Sequence, residues 1–346
     1  MTRLDPISSR LLSQIPRLSI AEGQMRLAEA QREATTGRHA DMGLALGSRI
    51  GSTLTLRLEL DAVTSDVERA KQASIRAGVT QASFSTLTQL AKDFQSMLGG
   101  ARTAHDGMRL AGQTARVSLD ALQNTLSTTY DGQYIFGGLM TESAPLTPYH
   151  LGPRQAVIDA FTTSFGFPPS DPAASALSAN DIEGFLDGAF ADLFTDAQWS
   201  STWSSASEDG PVFRLSSGGM IDLQASANAS FARSMSQALA MIEVLGESRV
   251  GRDAFQAVAD RALARISEAQ LQIGMEQARI GTAESRLKLA SQSLDASKVK
   301  LQTAIQALEG VDTYEAATRV NLLMTQLESS YALTGRINRL SLLSYI

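Results

Sequence analysis

Three histidines, His39, His105 and His150, are the residues best suited to acid–base work or to holding a metal ion, and their placement argues against both. They lie far apart and no two are spaced as a metal pair, so surface or turn positions are expected. Cysteine is absent, which removes disulfides, thiol nucleophiles and Cys-based zinc sites and leaves the redox compartment open. No phosphate-cradling Gly-x-x-x-x-Gly-Lys loop, no Gly-x-Ser-x-Gly elbow and no dinucleotide Gly fingerprint occurs. Gly43, Gly47 and Gly51 recur at every fourth residue, a row that suits close helix packing or a loop better than a phosphate site. Asn228-Ala229-Ser230 has the form of a glycosylation acceptor, as one chance match in a chain of this length would. Trp199 and Trp203 are candidates for a recognition patch for a glycan or host surface, but packing inside the insert is the expected role. The residue chemistry thus predicts no catalytic site, no metal site and no cofactor.

Charge and hydropathy narrow the class further. Net charge is −6, and the 30 basic residues are spread without a cluster, so no nucleic-acid footprint is expected. Hydrophobic residues make up 43% and charged residues 19%, which excludes a wholly disordered chain. No run approaches the ~20 apolar residues of a membrane-spanning helix, so no membrane association is expected. Arg, Ser, Asp or Pro interrupts every apolar stretch in the first twenty residues, leaving no core for a cleavable signal peptide.

The elements that could position anything are set by proline and aromatic placement. Seven of the nine prolines lie between Pro145 and Pro211, and 13 of the 20 aromatic residues lie between Tyr130 and Leu223. Proline inside a helix costs about 3 kcal/mol, so Arg17 to Ala144 and Val212 to Ile346 are free to be long helices. The centre is expected to be a small globular insert, α+β or mostly β, between aromatic-poor helical arms.

Every seventh residue from Ile266 is a large aliphatic: Ile266, Ile273, Ile280, Leu287, Leu294, Leu301 and Leu308. Three residues after each of the first six stand Ala269, Glu276, Ala283, Ala290, Ser297 and Ala304. This heptad seam, large at one position and mostly small at the other, favours a tight helix pair. A helix from about Gly251 to Glu309 would be roughly 90 Å long at 1.5 Å per residue and cannot bury its stripe alone. The first arm offers partners in Leu56, Leu60, Val63, Val67 and Ala70, then Leu87, Leu90, Phe94 and Met97. After turn signals at Gly99-Gly100 and Asp106-Gly107, the stripe resumes with Met108, Ala111, Ala115, Leu119, Leu122 and Leu126. The predicted fold is mainly α, a long antiparallel coiled-coil core formed by both chain ends.

Gly310 and the cap Asp312-Thr313-Tyr314-Glu315 predict a new terminal helix. It carries Val320, Leu323, Met324, Leu327 and Tyr331 on one face, with Leu322, Leu333 and Leu340 well off that stripe. Apolar residues on more than one face predict cover by other copies or partners. The expected assembly set is Leu18, Met25, Leu27, Val320, Leu323, Met324, Leu327, Tyr331, Ile337, Leu340, Leu342 and Leu343. Within the insert, Val212 to Leu215 and Met220 to Leu223 predict a β-hairpin across Ser216 to Gly219. Asn180 to Phe194 predicts one helix capped at Asn180, and Thr195 to Gly210 a Ser-rich loop.

The two ends carry a further pattern: Glu309-Gly310-Val311-Asp312 into Tyr314-Glu315-Ala316-Ala317, then Leu327-Glu328-Ser329-Ser330-Tyr331-Ala332, and the close Leu340-Ser341-Leu342-Leu343-Ser344-Tyr345-Ile346. With Thr36-Gly37-Arg38 and Gly132-Gln133-Tyr134-Ile135-Phe136-Gly137-Gly138, it resembles the family of flagellar hook-associated protein 3 and, more distantly, flagellin. His39-Ala40-Asp41-Met42-Gly43 replaces the Asp-Asp stretch common after that turn, and the longer flagellin signature around it is missing.

The resemblance implies a structural subunit of the bacterial flagellum that forms a ring-like homo-oligomeric layer between hook and filament. It implies hook-associated protein 1, flagellin and a flagellar export chaperone as partners, and type III export to an extracellular site. It also implies terminal helices lining the tube and an outward-facing insert. The corresponding division is a terminal coiled coil of residues 1–40 with 310–346, a helical core of 41–135 with 225–309, and an inserted outer domain of 136–224. Flagellin itself is the alternative, followed by a soluble helical coiled-coil signalling protein, which gives no reason for apolar ends.

Overall fold

The computed structural model describes residues 9–102, 106–214 and 219–343, with side chains described from 17 to 336 within them. In chain order its helices begin with α1 (Ser9–Thr36), α2 (Met42–Leu46), α3 (Ile50–Ala101) and α4 (Gly107–Leu126). Strands β1 (Thr129–Tyr130) and β2 (Gln133–Tyr134) follow. The centre holds α5 (Pro153–Phe165), α6 (Ala179–Asp187), α7 (Ala189–Asp192), α8 (Asp196–Gln198), β3 (Val212–Arg214) and β4 (Met220–Asp222). The chain then runs through α9 (Ser230–Gly246), α10 (Arg252–Glu309) and α11 (Thr313–Leu343). It divides into two compact units, Met1–Ser65 with Leu294–Ile346, and Asp66–Ser293.

The architecture is mainly α with a small β part, as the sequence predicts; among the described residues the strands form two small antiparallel sheets. The heptad stripe is inward: Ile266, Ala269, Ile273, Ile280, Ala283, Leu287 and Leu294 of α10 are all buried. In the second unit α3 and α10 run antiparallel. Gln81 Nε2 donates to the Gln277 carbonyl at 2.8 Å, Gln270 Nε2 to Gln95 Oε1 at 3.3 Å, and Arg102 pairs with Asp260 at 2.6 Å. Their shared core includes Ala73, Ala77, Phe84, Leu87, Ala91, Phe94 and Leu98 of α3, which are buried. The alternation of small and large residues is what lets two axes approach without voids.

The strands occur where turn chemistry demands them. Asp131 and Gly132 both adopt positive φ, 53° and 74°, between β1 and β2. That conformation matches the twist of a two-residue hairpin and is cheap only for residues such as Asp and Gly. The hairpin delivers Ile135 and Phe136 into the core, where the Phe84 ring meets Phe136 and Phe231 edge-on at 5.6 and 5.5 Å. Strands β3 and β4 pair antiparallel, Phe213 opposite Ile221, as expected; residues 215–218 of the predicted hairpin lie outside the described residues.

The central segment is α+β, the first of the two expected forms, and departs from expectation in its detail. Proline starts helices as well as breaking them. Pro153 opens α5 at its first turn, where the missing N–H would have had no intrahelical partner. The single helix predicted over Asn180 to Phe194 is two, α6 and α7, separated at Gly188. Its cap is Ser178 rather than Asn180: Ser178 Oγ accepts from Asp181 N at 3.2 Å, and Ser178 N donates to Asp181 Oδ2 at 2.9 Å. Finally, the Ser-rich stretch is no plain loop. It forms α8 and a wide turn, Trp199–Trp203, that stacks its two indoles at 5.4 Å and 10°. Both tryptophans are buried, with Trp199 Nε1 donating to Asn228 Oδ1 at 3.1 Å. Asn228 Nδ2 in turn donates to the Ala206 carbonyl at 2.8 Å, so the amide of the sequon is engaged in the fold.

Candidate functional site: the terminal helix pair

The first unit is built around the antiparallel pair α1 and α11. Four contacts set the direction: Gly37 against Thr313, Glu33 with Arg319 at 3.2 Å, Gln24 Nε2 to Tyr331 Oη at 2.6 Å, and Gly23 against Leu327. Helix α11 starts as its cap predicts, with Asp312 Oδ1 accepting from Tyr314 N at 2.8 Å and Glu315 N at 3.3 Å.

Two turns are stitched together at the base of this pair. Gly37, at φ 65°, ends α1 in the left-handed conformation that glycine tolerates. The chain then lies beside Gly310: His39 N donates to the Glu309 carbonyl at 3.0 Å, and Val311 N to the Gly37 carbonyl at 3.0 Å. The Glu309 side chain is buried and accepts from Arg57 Nε and Nη2, both at 2.7 Å, with Arg38 at 3.7 Å. That carboxylate raises the pKa of Arg57, first through the hydrogen bond; burial opposes the rise, and Coulomb attraction to Glu309 and Asp61 adds to it. A two-point guanidinium–carboxylate contact fixes orientation as well as charge.

The expected assembly residues divide between the inside and outside of the pair. Leu327 is buried, while Leu27, Val320 and Leu323 are half-buried. Leu18 and Met25 on α1, and Met324 and Tyr331 on α11, are exposed. Leu322 and Leu333, predicted to lie off the stripe, are 67% and 60% exposed. The side chains of Ile337, Leu340, Leu342 and Leu343 lie outside the described residues.

Other sites named from sequence resolve simply. His39 Nδ1 lies 3.8 Å from Glu33 Oε1, His150 sits in a short turn, and His105 is outside the described residues. Among the described residues no group of three or more His, Cys, Asp or Glu could hold a metal, and no helix is long and apolar enough to cross a membrane. The glycine row falls in α2, a turn and the start of α3; a β-carbon on Gly47 or Gly51 would meet nothing within 4 Å and one on Gly43 only its own cap, Asp41 Oδ1, at 3.3 Å, so the row packs no second helix and only Gly47 lies in a turn.

One polar cluster escaped the sequence reading. Glu243 of α9 is fully buried and accepts from Arg116, Arg154 Nε at 2.9 Å and Tyr149 Oη at 2.9 Å. The available signal was a lone acid within Ala238-Leu239-Ala240-Met241-Ile242-Glu243-Val244-Leu245, which must be paired if the run is buried.

The geometry agrees with the comparisons. Residues 7–141 match the bacterial flagellin N-terminal helical region, and residues 263–346 match the bacterial flagellin C-terminal helical region. The two regions together cover more than half of this chain, which belongs to the flagellin-like family of flagellar structural subunits. No curated protein matches the sequence. Among solved structures, one described as a "putative flagellar hook-associated protein" of Vibrio parahaemolyticus is 13% identical with a TM-score of 0.51, over 74% of this chain and 95% of its own. Bacillus cereus FlgL is 10% identical with a TM-score of 0.39, over 75% and 98%.

Proposed function

We propose that this chain is the junction subunit between hook and filament, in the role of hook-associated protein 3. It forms a ring-like layer of identical copies that contacts hook-associated protein 1 on one side and flagellin on the other. An export chaperone guards it before type III export, without signal cleavage, to the extracellular flagellum. The observation that carries the reading is the apolar surface left outside the α1–α11 pair: Leu18, Met25, Leu322 and Leu333 have no cover in one copy. Exposed aliphatic side chains of this kind gain most from neighbours of the same design. In the assembled layer the terminal pair faces inward and residues 136–224 face out.

The test is deletion of the gene followed by electron microscopy of the cells. Hooks that shed unpolymerised flagellin support the junction role, whereas loss of the filament subunit itself, with junction proteins still on capped hooks, identifies a flagellin. Removing residues 312–346 should leave a helical protein that does not assemble. Functional flagella built from that truncated chain would reject the terminal helices as the interface.

A further inference from the structure

In the second unit the outward sides of α3 and α10 form a surface without charge. Of residues 72–91 of α3 only Arg76 is charged, and it is buried. Ile75, Gly78, Ala82, Ser85 and Gln89 are exposed and spaced by three and four, which sets them in one stripe opposite the buried one. On α10 a second exposed stripe runs through Leu271, Met275, Ala278, Thr282, Ser285 and Leu289 with the same spacing. At about 100° per residue, every charged residue between 267 and 289 stands about 80° or more round the helix from Ala278. Helix surfaces that face water ordinarily hold about 25–35% charged residues. Loss of charge around exposed Leu, Ile and Met is instead the mark of a protein interface.

The two stripes lie side by side. Gln81, next to Ala82 in sequence, donates to the carbonyl of Gln277, next to Ala278, at 2.8 Å. Each glutamine is about 100° round its helix from its alanine, so the helices join along their flanks and both stripes point the same way. The joint face runs about 33 Å from Ser267 to Leu289 and about 20 Å across the two helices. That is about 650 Å2 for one copy and about 1,300 Å2 for a pair, inside the range of about 1,200–2,000 Å2 of stable interfaces.

The face is also complementary to itself. Gln81 lies between Gln277 and Gly281, so Ser85 is level with Met275, Ile75 with Ser285, and Gly78 with Thr282. Turning a second copy by 180° about an axis parallel to the helices sets its α3 over α10 and keeps these levels. Met275 then meets the second copy's Ser85, Ile75 its Ser285, and Thr282 its Gly78, where a β-carbon would find open space. Large against small is the arrangement that fills a helix interface without voids. We infer that two copies of this chain pair face to face through this surface, α10 of each antiparallel to α3 of the other, in an isologous dimer. The contact uses no residue of the terminal pair, so it stands or falls separately from the junction role.

Sedimentation equilibrium of the full-length chain tests this, and a concentration-dependent dimer is expected. Met275→Asp and Ser285→Arg, both at exposed positions, should each weaken it about tenfold or more, while Leu322→Ser with Leu333→Ser leaves it unchanged. Ser285→Arg carries the test if Met275→Asp does not fold by circular dichroism. Because the chain has no cysteine, Ala82→Cys and Ala278→Cys chains can be mixed with a short bismaleimide, and should cross-link to each other but not to themselves. A chain that stays monomeric at about 100 μM overturns the inference. So does a dimer that survives Met275→Asp or Ser285→Arg, one lost in the Leu322 and Leu333 variant, or cross-linking of either cysteine chain alone.

Discussion

Gly23 and Leu327 meet across the terminal helix pair so closely that a β-carbon on Gly23 would lie 3.2 Å from Leu327 Cδ2. The atom in the way is the end of a flexible side chain, so one methyl can be absorbed and a branched side chain cannot. Gly23→Ala should be near neutral, since a helix-propensity gain of about 1 kcal/mol offsets the crowding. Gly23→Val should weaken the pairing by roughly 1–3 kcal/mol, the usual cost of overpacking. Amide hydrogen exchange in α1 and α11 separates the two outcomes.

The Arg57–Glu309 contact is asymmetric, because Glu309 is buried while the Arg57 side chain is 46% exposed. Arg57→Ala leaves a buried carboxylate with only Arg38 near it, whereas Glu309→Gln leaves an arginine that can turn to water. The arginine variant should be the worse, by about 2–3 kcal/mol against wild type, with Glu309→Gln clearly milder. Urea unfolding of both variants and of the double variant measures the coupling.

Tyr149 gives the protein a signature in alkali. Burial, then the neighbouring Glu243 carboxylate, raises its pKa well above 10, with Arg154 and Arg116 opposing. A raised pKa favours the protonated phenol in the folded state. Its stabilisation is therefore complete below about pH 10, the ordinary tyrosine value. It is lost as pH rises beyond that, because the unfolded chain releases the proton first. Tyrosinate absorbance should show one tyrosine that ionises only as the protein unfolds, and Tyr149→Phe should abolish that component and flatten the alkaline loss of stability.

Where α4 crosses α9, Gly246 sits so close that a β-carbon would lie 2.7 Å from the Met108 carbonyl and 3.0 Å from Gly112 Cα. These are backbone atoms and cannot swing aside. Gly246→Ala should cost about 1–3 kcal/mol despite alanine's better helix propensity. Calorimetry would record it as a lowered Tm.

Under the proposed junction role, the exposed face of α11 is expected to serve assembly and not the stability of the single chain. Leu322→Ser with Leu333→Ser should leave the helicity and thermal unfolding of the isolated chain within about 0.5 kcal/mol of wild type, as expected for exposed positions. The same pair should abolish incorporation into flagella. Normal incorporation, scored by electron microscopy and motility, would remove this face from the interface.

Legibility followed from how local each determinant is. The α10 stripe was readable because a seven-residue repeat states both the element and its buried face, and the Asp312 cap because its partners, Tyr314 and Glu315, are two and three residues away. The central segment is less legible for the same reason in reverse. Pro153 starts a helix that a proline count takes for a break, and Ser178 competed for the cap with Asn180, two residues on. The candidate site was readable only as a set: Leu327 and Leu18 look alike in sequence, yet one is 7% and the other 70% exposed.

The sequence by itself determined that long amphipathic arms flank an aromatic-rich centre. It also carried the end motifs of the flagellin-like family. The tertiary structure decided which apolar residues fill the α1–α11 seam and which stay outside. It brought Arg57 to Glu309 across 252 positions, and it buried Glu243 among two arginines and a tyrosine. Periodicity is a property of neighbours along the chain, whereas the partner of a buried charge is set by the packing of helices far apart in sequence.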